Sequence, residues 1–413
     1  MRYFLLSFLL FLSLYLGAAK PIRIGVITDT HYLSEQLMDN GIAVNNYISS
    51  TGKNVKDVPA VLDKVLNEYL NSDIDVLLIT GDITKDGEKQ SHLDFVKKLK
   101  PLQNKGIRVF VIPGNHDINM PNSIGFKGDK TYKIDNITPE LFTSIYSQCG
   151  YKDAIRRDPS SLSYVARLDD NNWLLAMDAA RYEEYTTQPL SSGKISADTE
   201  KWIIEVLNEA KEKNIQVIGM MHWGLTEHIA YQSEFFGNYL VQDWQRLAPL
   251  FADNELKAVF TGHFHTNDIT LYQSPKGNKV YDIETGTLSS YPYSYRFVEL
   301  EKGKMKVETR NVTSIPNNPN LAQDSKQTLL KIAERQAIPR LGRLGIDMPK
   351  ETSEAMANLL GQIFIMHAFG DEIMNDDLKS AIGRVTKAMD VPMNLNDFEL
   401  DFYPVDNNVT IEF

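Results

Sequence analysis

The chain has 413 residues, of which 43% are hydrophobic, and this is typical of a globular protein with one large domain and a smaller one, or with two domains. Its formal net charge of -11 argues against a nucleic-acid polymer or an anionic membrane surface as a partner. A small phosphate-ester substrate remains compatible with this charge, because bound divalent cations can make a pocket locally positive. The single cysteine, Cys149, excludes an intrachain disulfide.

The first 19 residues have the three parts of a secretory signal peptide. Arg2 supplies the positive start, residues 4–16 form an apolar core, and Gly17-Ala18-Ala19 offers small residues for cleavage. The apolar core is short for a transmembrane helix, although an uncleaved membrane anchor is the alternative. We therefore expect an exported protein, periplasmic or extracellular, with no stable membrane insertion after cleavage.

Strands and helices alternate in the first part of the mature chain, which predicts an α/β layered architecture. Residues 32–57 between the first strand and the first helix are polar, and we interpret them as a loop or insertion. The predicted elements are a strand at Ile22–Thr28, a helix at Val58–Leu70, a strand at Ile74–Thr80, a helix at Gly87–Lys100 and a strand at Ile107–Ile112.

A surface insertion with one short helix is expected over residues 118–161, and regular elements then resume. We predict a hairpin of Tyr164–Leu168 with Trp173–Asp178, a helix from Ser196 to about Lys213, a strand at Ile215–Met221, a helix at Trp244–Phe251, a strand at Lys257–Phe260, and a meander of strands at Ile269–Tyr272, Lys279–Glu284, Tyr295–Leu300 and Met305–Arg310.

Composition changes after Asn311, and residues 314–325, with two prolines and several asparagines, are interpreted as a linker. Three helical patterns follow, at Gln327–Leu344, Ser353–Phe369 and Asp376–Met389. The middle helix is apolar nearly all round over residues 359–366, which suggests burial in a bundle or in a homodimer. The predicted organisation is a signal peptide at 1–19, a catalytic domain at 20–313 and a small C-terminal helical domain at 314–413.

Side chains that commonly bind metals recur in five places, each after an apolar strand and a small residue or turn. Ends of successive strands are where open α/β sheets place their sites. Together these places supply seven candidate ligands: Asp29, His31, Asp82, Asn115, His222, His263 and His265.

These ligands contain oxygen and nitrogen but no thiolate, so a structural zinc site of the cysteine type is excluded. Mixed carboxylate and imidazole sites suit Zn, Mn or Fe. Seven ligands are too many for one ion but suit two divalent ions that share a carboxylate. Such a pair is a general solution for in-line attack at phosphorus.

The five blocks, read in order, resemble the calcineurin-like metallophosphoesterases over roughly residues 22–299. They are Asp29-Thr30-His31, Gly81-Asp82, Gly114-Asn115-His116-Asp117, His222 and Gly262-His263-Phe264-His265. The resemblance implies a four-layer αββα sandwich with the site at the strand ends. It also implies that Asp29, His31, Asp82 and His265 hold the first metal, and that Asp82 bridges to a second metal completed by Asn115, His222 and His263.

The same resemblance assigns chemistry to the third block. A hydroxide bridging the two ions is expected to attack phosphorus, and His116 is expected to protonate the leaving oxygen or to orient the phosphate. Asp117 is expected to orient His116.

Two further stretches resemble the bacterial class III cyclic-nucleotide phosphodiesterase-like subgroup, namely residues 81–88 and 291–296. Purple acid phosphatases fit poorly, because Lys85 stands where they need a tyrosine ligand. The favoured function is hydrolysis of a phosphodiester, either a cyclic nucleotide or another small diester. The alternatives are a phosphomonoesterase on the same metals and a non-catalytic binding protein on a phosphoesterase fold.

The remaining histidines and aromatic residues carry weaker expectations. We expect His228 to be a solvated loop residue, and His92 and His367 to be structural. Four aromatic side chains could stack on a substrate but are more often packing residues: Tyr32, Trp223, Phe264 and Tyr293.

Overall fold

The structure is a computed structural model that describes residues 20–343, 349–388 and 400–413. The predicted signal peptide at 1–19 lies outside the described residues. In chain order the strands are β1 Ile22–Ile27, β2 Val76–Ile79, β3 Arg108–Val111, β4 Ile124–Lys127, β5 Lys130–Lys133, β6 Arg156–Arg157, β7 Tyr164–Arg167, β8 Asn172–Ala176, β9 Gln216–Met220, β10 Leu256–Thr261, β11 Asp268–Gln273, β12 Lys279–Glu284, β13 Ser294–Glu301, β14 Lys304–Asn311 and β15 Asn408–Glu412.

The helices of the described residues alternate with these strands at first and then follow one another. They are α1 Ile42–Thr51, α2 Val58–Asn71, α3 Lys89–Lys105, α4 Pro139–Ile145, α5 Ala197–Glu212, α6 Gln232–Phe236, α7 Trp244–Asp253, α8 Leu321–Arg343, α9 Lys350–Phe369 and α10 Asp376–Ala388. Short helical turns lie at Glu35–Leu37, Ser147–Tyr151 and Gly237–Tyr239. None of the helices in the described ranges is both long enough and apolar enough to cross a membrane.

Two large sheets make up the centre of the fold. The first has the order β15-β14-β13-β1-β2-β3, and the second has the order β11-β12-β10-β9-β8-β7-β6. Strands β1, β2 and β3 are parallel, as are β8, β9 and β10 with β12. The near-continuous apolar runs of these strands suit strands that are covered on both faces.

Helices cover the outer faces of both sheets, which gives four layers. Helices α2 and α3 pack on the first sheet and share its core. In β8 of the second sheet, Leu174 faces the core between the sheets, whereas Trp173 and Leu175 face outward to α5 and α7. This alternation follows from the two-residue period of a strand. The predicted αββα sandwich is thereby confirmed.

Three expectations about local structure were wrong. Residues 32–57 contain helix α1, and residues 118–161 contain the hairpin β4–β5 besides the short helix α4. The predicted meander is split between the sheets, because the β11–β12 pair lies in the second sheet and the β13–β14 pair in the first. The chain therefore crosses from one sheet to the other between β12 and β13.

The C-terminal part is helical, as expected, but it ends in a strand. Helix α9 packs between α8 and α10, and its Leu359 joins a small apolar cluster with Leu378 and Ile382 of α10. The chain then returns as β15, which pairs antiparallel with β14. Backbone hydrogen bonds therefore attach the end of the C-terminal part to the first sheet. The domain boundary at residue 313 stays a prediction.

Candidate metal centre

The seven predicted ligands all follow the ends of strands that meet at one edge of the sandwich. Asp29 and His31 follow β1, Asp82 follows β2 and Asn115 follows β3 in the first sheet. His222 follows β9, and His263 and His265 follow β10, in the second sheet. Each sheet thus supplies part of the site, and the structure brings these side chains together between the two sheets.

The backbone at five of the ligands is in the left-handed region, which non-glycine residues seldom adopt. The φ values are 48° at Asp29, 41° at His31, 46° at Asp82, 73° at His263 and 67° at His265. Such conformations cost energy and cluster at functional sites, where the surrounding structure enforces them. Here they turn the chain sharply at each strand end, so that the side chain points to the centre and the chain continues away from it.

Close packing explains the glycine before Asp82. Gly81 has a φ of 100°, and a Cβ atom at this position would lie 2.6 Å from Nδ1 of His222. Any side chain here would be strained and would displace a ligand. The Gly-Asp block therefore follows from a close approach of the β2 end to His222 of the other sheet.

The donors fall into two groups, each with atoms within 4.8 Å of one another: Asp29, His31 and His265, and Asp82, His222 and His263. Asp82 also reaches the first group, because its Oδ2 lies 3.6 Å from Nε2 of His31 and 3.4 Å from Nε2 of His222. A carboxylate between two donor groups is suited to bridging two ions.

Asn115 shows that the site needs a further partner. Its Oδ1 is buried and accepts no hydrogen bond from the described part of the chain. A buried oxygen of this kind is costly unless it is hydrogen-bonded or binds a cation. The donor set and this oxygen both fit a pair of divalent metal ions, and the assignment of ligands to each ion stays a prediction.

Neighbouring groups fix the tautomers of two ligand imidazoles. His222 donates from Nδ1 to the carbonyl oxygen of Thr80 at 2.8 Å, and His263 donates from Nε2 to the carbonyl oxygen of Ser191 at 2.8 Å. The other ring nitrogens of these two residues then face each other at 3.1 Å in the centre. Such outer partners orient metal-binding histidines and raise their basicity.

Neighbouring charges and burial shift the pKa values of three candidate ligands. Burial alone would raise the pKa of Asp29, but His222 and His265 bring it down to about 2. Burial would lower the pKa of His222, but Asp82 and Asp29 raise it to about 9. Burial and the neighbouring His222 lower the pKa of His263 to about 3. His222 therefore carries a positive charge that faces both carboxylates.

His116 lies beside the centre, and its carboxylate partner is not the predicted one. Its Nδ1 lies 2.9 Å from Oδ1 of Asp86, whereas Asp117 makes no such contact. Lys85 is buried and donates to the other oxygen of Asp86. The side chain of His116 is 21% exposed, so the ring can meet a substrate while Asp86 holds its orientation.

Asp117 instead joins two loops. Its carboxylate accepts hydrogen bonds from the backbone N–H groups of Gly114 at 2.9 Å, Thr84 at 2.9 Å and Ile83 at 3.2 Å. Burial, together with the charge of Asp82, raises its pKa to about 6. The expected orienting role of Asp117 was wrong because its oxygens are used by the backbone that carries Asp82 and Asn115.

Sequence reasoning missed two side chains of the site. Asp86 follows Asp82 by four residues, a short spacing that could have suggested it. Lys53 carries no such signal, yet its Nζ lies 3.4 Å from Nδ1 of His31 and 3.5 Å from Nε2 of His116. It comes from the segment interpreted as a loop, just after helix α1.

The structure agrees with the predictions for some of the other candidate residues and contradicts the prediction for His228. His228 is fully buried among carboxylates and is not a solvated loop residue. His92 is structural, since it lies 2.9 Å from both the Tyr146 hydroxyl and the Asp117 carbonyl oxygen. The four aromatic candidates are all buried packing residues: Tyr32, Trp223, Phe264 and Tyr293.

The fold and the two donor groups are those of a metal-dependent phosphoesterase. A sequence model described as calcineurin-like phosphoesterase matches residues 22–267, more than half of the chain. The protein belongs to this family.

Relatives within the family match over short segments. A cyclic AMP phosphodiesterase of Haemophilus influenzae, CpdA, is 34% identical over 101 residues, which are 24% of this chain and 32% of that protein. A cyclic-nucleotide phosphodiesterase of Nostoc is 34% identical over 98 residues, which are 24% of this chain and 31% of that protein. The chain thus spans about a third of the length of these relatives.

A solved structure supports the fold over a longer range. A dimetal phosphatase from Danio rerio superposes with a TM-score of 0.50 at 14% identity, covering 71% of this chain and 96% of that one. At this identity the likeness concerns the fold alone.

The Asp86–His116 pair predicts a specific defect. Asp86→Asn should keep both metals but lower kcat roughly tenfold or more, because an unheld His116 donates a proton poorly. The loss should be larger for an alkyl phosphate ester than for an aryl ester with a good leaving group. Asp63→Asn, which removes a surface carboxylate paired with Lys98, is the matched control. Equal rates for Asp86→Asn and the wild type on the alkyl ester would remove Asp86 from the reaction.

The charge on His222 predicts how metal loading depends on pH. In metal-free protein, nuclear magnetic resonance of labelled histidines should show His222 protonated on both nitrogens up to about pH 9. A ligand imidazole must be neutral, so Zn²⁺ should remove its Nε2 proton, and affinity should rise with pH up to about 9. In Asp82→Asn the His222 pKa should fall and Zn²⁺ binding should weaken. A neutral His222 at pH 7 in metal-free wild type would contradict this prediction.

Proposed function

We propose that the protein hydrolyses a phosphodiester, a cyclic nucleotide or another small diester, at the dinuclear centre. The observation that carries the proposal is the His116–Asp86 pair beside the two donor groups. An alkoxide leaving group, as in a cyclic nucleotide, needs a proton donor, and this pair is suited to that task. The partial matches to cyclic-nucleotide phosphodiesterases support the choice of a diester.

Two divalent ions bound at this centre would polarise the phosphoryl oxygens, activate water and neutralise developing charge. Asp29, His31 and His265 would hold one ion, and Asn115, His222 and His263 would hold the other, with Asp82 shared. The backbone hydrogen bonds that reach Asp29 and Asp82 fix these carboxylates in place: His263 N–H donates to Asp29 Oδ2 and His116 N–H donates to Asp82 Oδ1.

His116 provides the proton for the departing oxygen. Its Nδ1–H is held by Asp86, so the proton to be transferred is the one on Nε2, which lies on the Lys53 side of the ring. The carboxylate of Asp86 fixes which ring nitrogen faces the substrate. After transfer, the neutral ring keeps its orientation because the Nδ1–H bond remains.

Hydrolysis of a phosphomonoester is the second candidate, and Lys53 favours it. A monoester dianion has one more unesterified oxygen than a diester. Lys53 supplies an extra cation between His31 and His116 that could bind this oxygen. A non-catalytic binding protein is the third candidate, but retention of all seven ligands and of the His116–Asp86 pair argues against it.

Rates on a bis-aryl phosphodiester and on the matching aryl monoester test the proposal. Protein loaded with Mn²⁺ or Zn²⁺ should prefer the diester. Lys53→Met should reduce monoester hydrolysis more than diester hydrolysis, because it removes a charge that only the dianion needs. The surface variant Lys97→Met serves as the matched control.

Each other outcome points to one alternative. Preference for the monoester would assign a phosphatase, and no hydrolysis of either ester with both metals bound would favour the binding protein. In the case of diester preference, cyclic nucleotides and lipid head-group diesters are the next substrates to compare.

Export is part of the same proposal and rests on the composition of residues 1–19. N-terminal sequencing of protein recovered from its natural host should give a mature chain that begins near Lys20. A chain that begins at Met1 would contradict cleavage.

A further inference from the structure

A second group of ionisable side chains lies where the C-terminal part meets the second sheet. Asp268 begins β11, His367 lies in the last turn of α9, and Glu372 follows that helix. All three side chains are almost completely buried, and their donor atoms lie within 4.8 Å of one another. None of these residues was predicted to bind a metal, and the proposed reaction does not use them.

Two carboxylate oxygens in this group have no hydrogen-bond partner among the described residues. Oδ1 of Asp268 is used by His228, at 2.8 Å from Nδ1, and by the Thr270 hydroxyl, at 2.9 Å. Oδ2 is buried, accepts no hydrogen bond from the described residues, and lies 3.7 Å from Nδ1 of His367. Oε2 of Glu372 is also buried and unpartnered within the described ranges. Buried carboxylate oxygens are normally hydrogen-bonded, paired or bound to a cation.

A proton on Nδ1 of His367, without a metal ion, explains only part of this group of contacts. If His367 is charged, its Nδ1–H donates to Oε1 of Glu372 at 2.5 Å, which pairs those two residues. It leaves Oδ2 of Asp268 and Oε2 of Glu372 without partners. The nearby buried carboxylates Asp282 and Glu284 already face His228. The positive charge of His228 therefore cannot balance the negative charge of all the carboxylates in this region.

We propose that Asp268, His367 and Glu372 bind a third divalent ion, of the Zn²⁺ or Mn²⁺ type, which attaches the end of α9 to the second sheet. One imidazole with two carboxylates suits these ions better than Mg²⁺ or Ca²⁺, which prefer oxygen ligands alone. The ion takes the place of the proton between His367 and Glu372 and also pairs Oδ2 of Asp268.

The geometry requires only small movements. Donor atoms on a tetrahedral Zn²⁺ lie about 3.4 Å apart. The gap of 3.7 Å between Asp268 and His367 is close to this value, and the His367–Glu372 pair has to open by roughly 1 Å. Asn267 holds the helix end in position, since its side chain donates to the carbonyl oxygens of Ala368 and Phe369.

Metal counting tests the proposal. Full-length protein is saturated with Zn²⁺, exchanged into metal-free buffer and analysed for zinc per chain. Wild type should hold three ions, and Glu372→Gln should hold two. Glu351→Gln removes an exposed carboxylate from the same helix and should still hold three. Equal zinc content in the wild type and in Glu372→Gln would overturn the proposal, whatever number of ions the catalytic centre holds.

Anomalous diffraction from wild-type crystals grown with Zn²⁺ gives a second result that does not depend on the variant folding. A zinc peak among Asp268, His367 and Glu372, besides those at the catalytic centre, is expected. A map with peaks at the catalytic centre alone would reject the third site. Neither measurement uses catalytic activity, so failure here is separate from failure of the proposed reaction.

Discussion

The left-handed backbone at the strand ends is the constraint on which the site depends. Five candidate ligands have this conformation: Asp29, His31, Asp82, His263 and His265. It costs free energy, and an isolated loop would relax to a more favourable conformation. Neighbouring loops enforce these turns: the backbone of Asp29 bonds to that of Gly81, and the backbone of His31 bonds to that of Asp82. The ligands of the first sheet are therefore positioned by one another's backbone before any metal binds, which reduces the reorganisation that metal binding requires.

The same constraint makes the site a junction between the two sheets. The carboxylates Asp29 and Asp82 come from the first sheet, and the positively charged His222 that faces them comes from the second. Attraction between the sheets at this edge thus comes from groups that are also candidate metal ligands. Divalent ions would replace the proton on His222, so metal binding and cohesion of the sandwich edge are coupled.

Local patterns predicted most strands of the two sheets and the helices that cover them. They also predicted that seven candidate ligands meet at one edge, because the ends of parallel strands converge there. What was missed depends on contacts distant in sequence. Asp117 was predicted to be the carboxylate partner of His116. This was wrong because the oxygens of Asp117 already accept hydrogen bonds from the N–H groups of Gly114, Ile83 and Thr84. His228 was misplaced because its partners Asp268 and Asp282 lie on β11 and β12, distant in sequence. β15 was missed although polar and apolar residues alternate along it, because its partner strand β14 is also distant in sequence.

An aromatic residue of the loop with the candidate ligands contacts the C-terminal part. Phe264 lies between the ligands His263 and His265, and its ring contacts His367 of α9, with ring centres 5.4 Å apart. It also contacts Tyr239, whose ring packs against His263. An end of α9 held firmly by Asp268 and Glu372 would restrict Phe264, and with it the loop that carries two ligands. That loop has a left-handed backbone at both histidines. Contacts from the C-terminal part would help to hold it in this unfavourable conformation, although no C-terminal residue is among the predicted ligands.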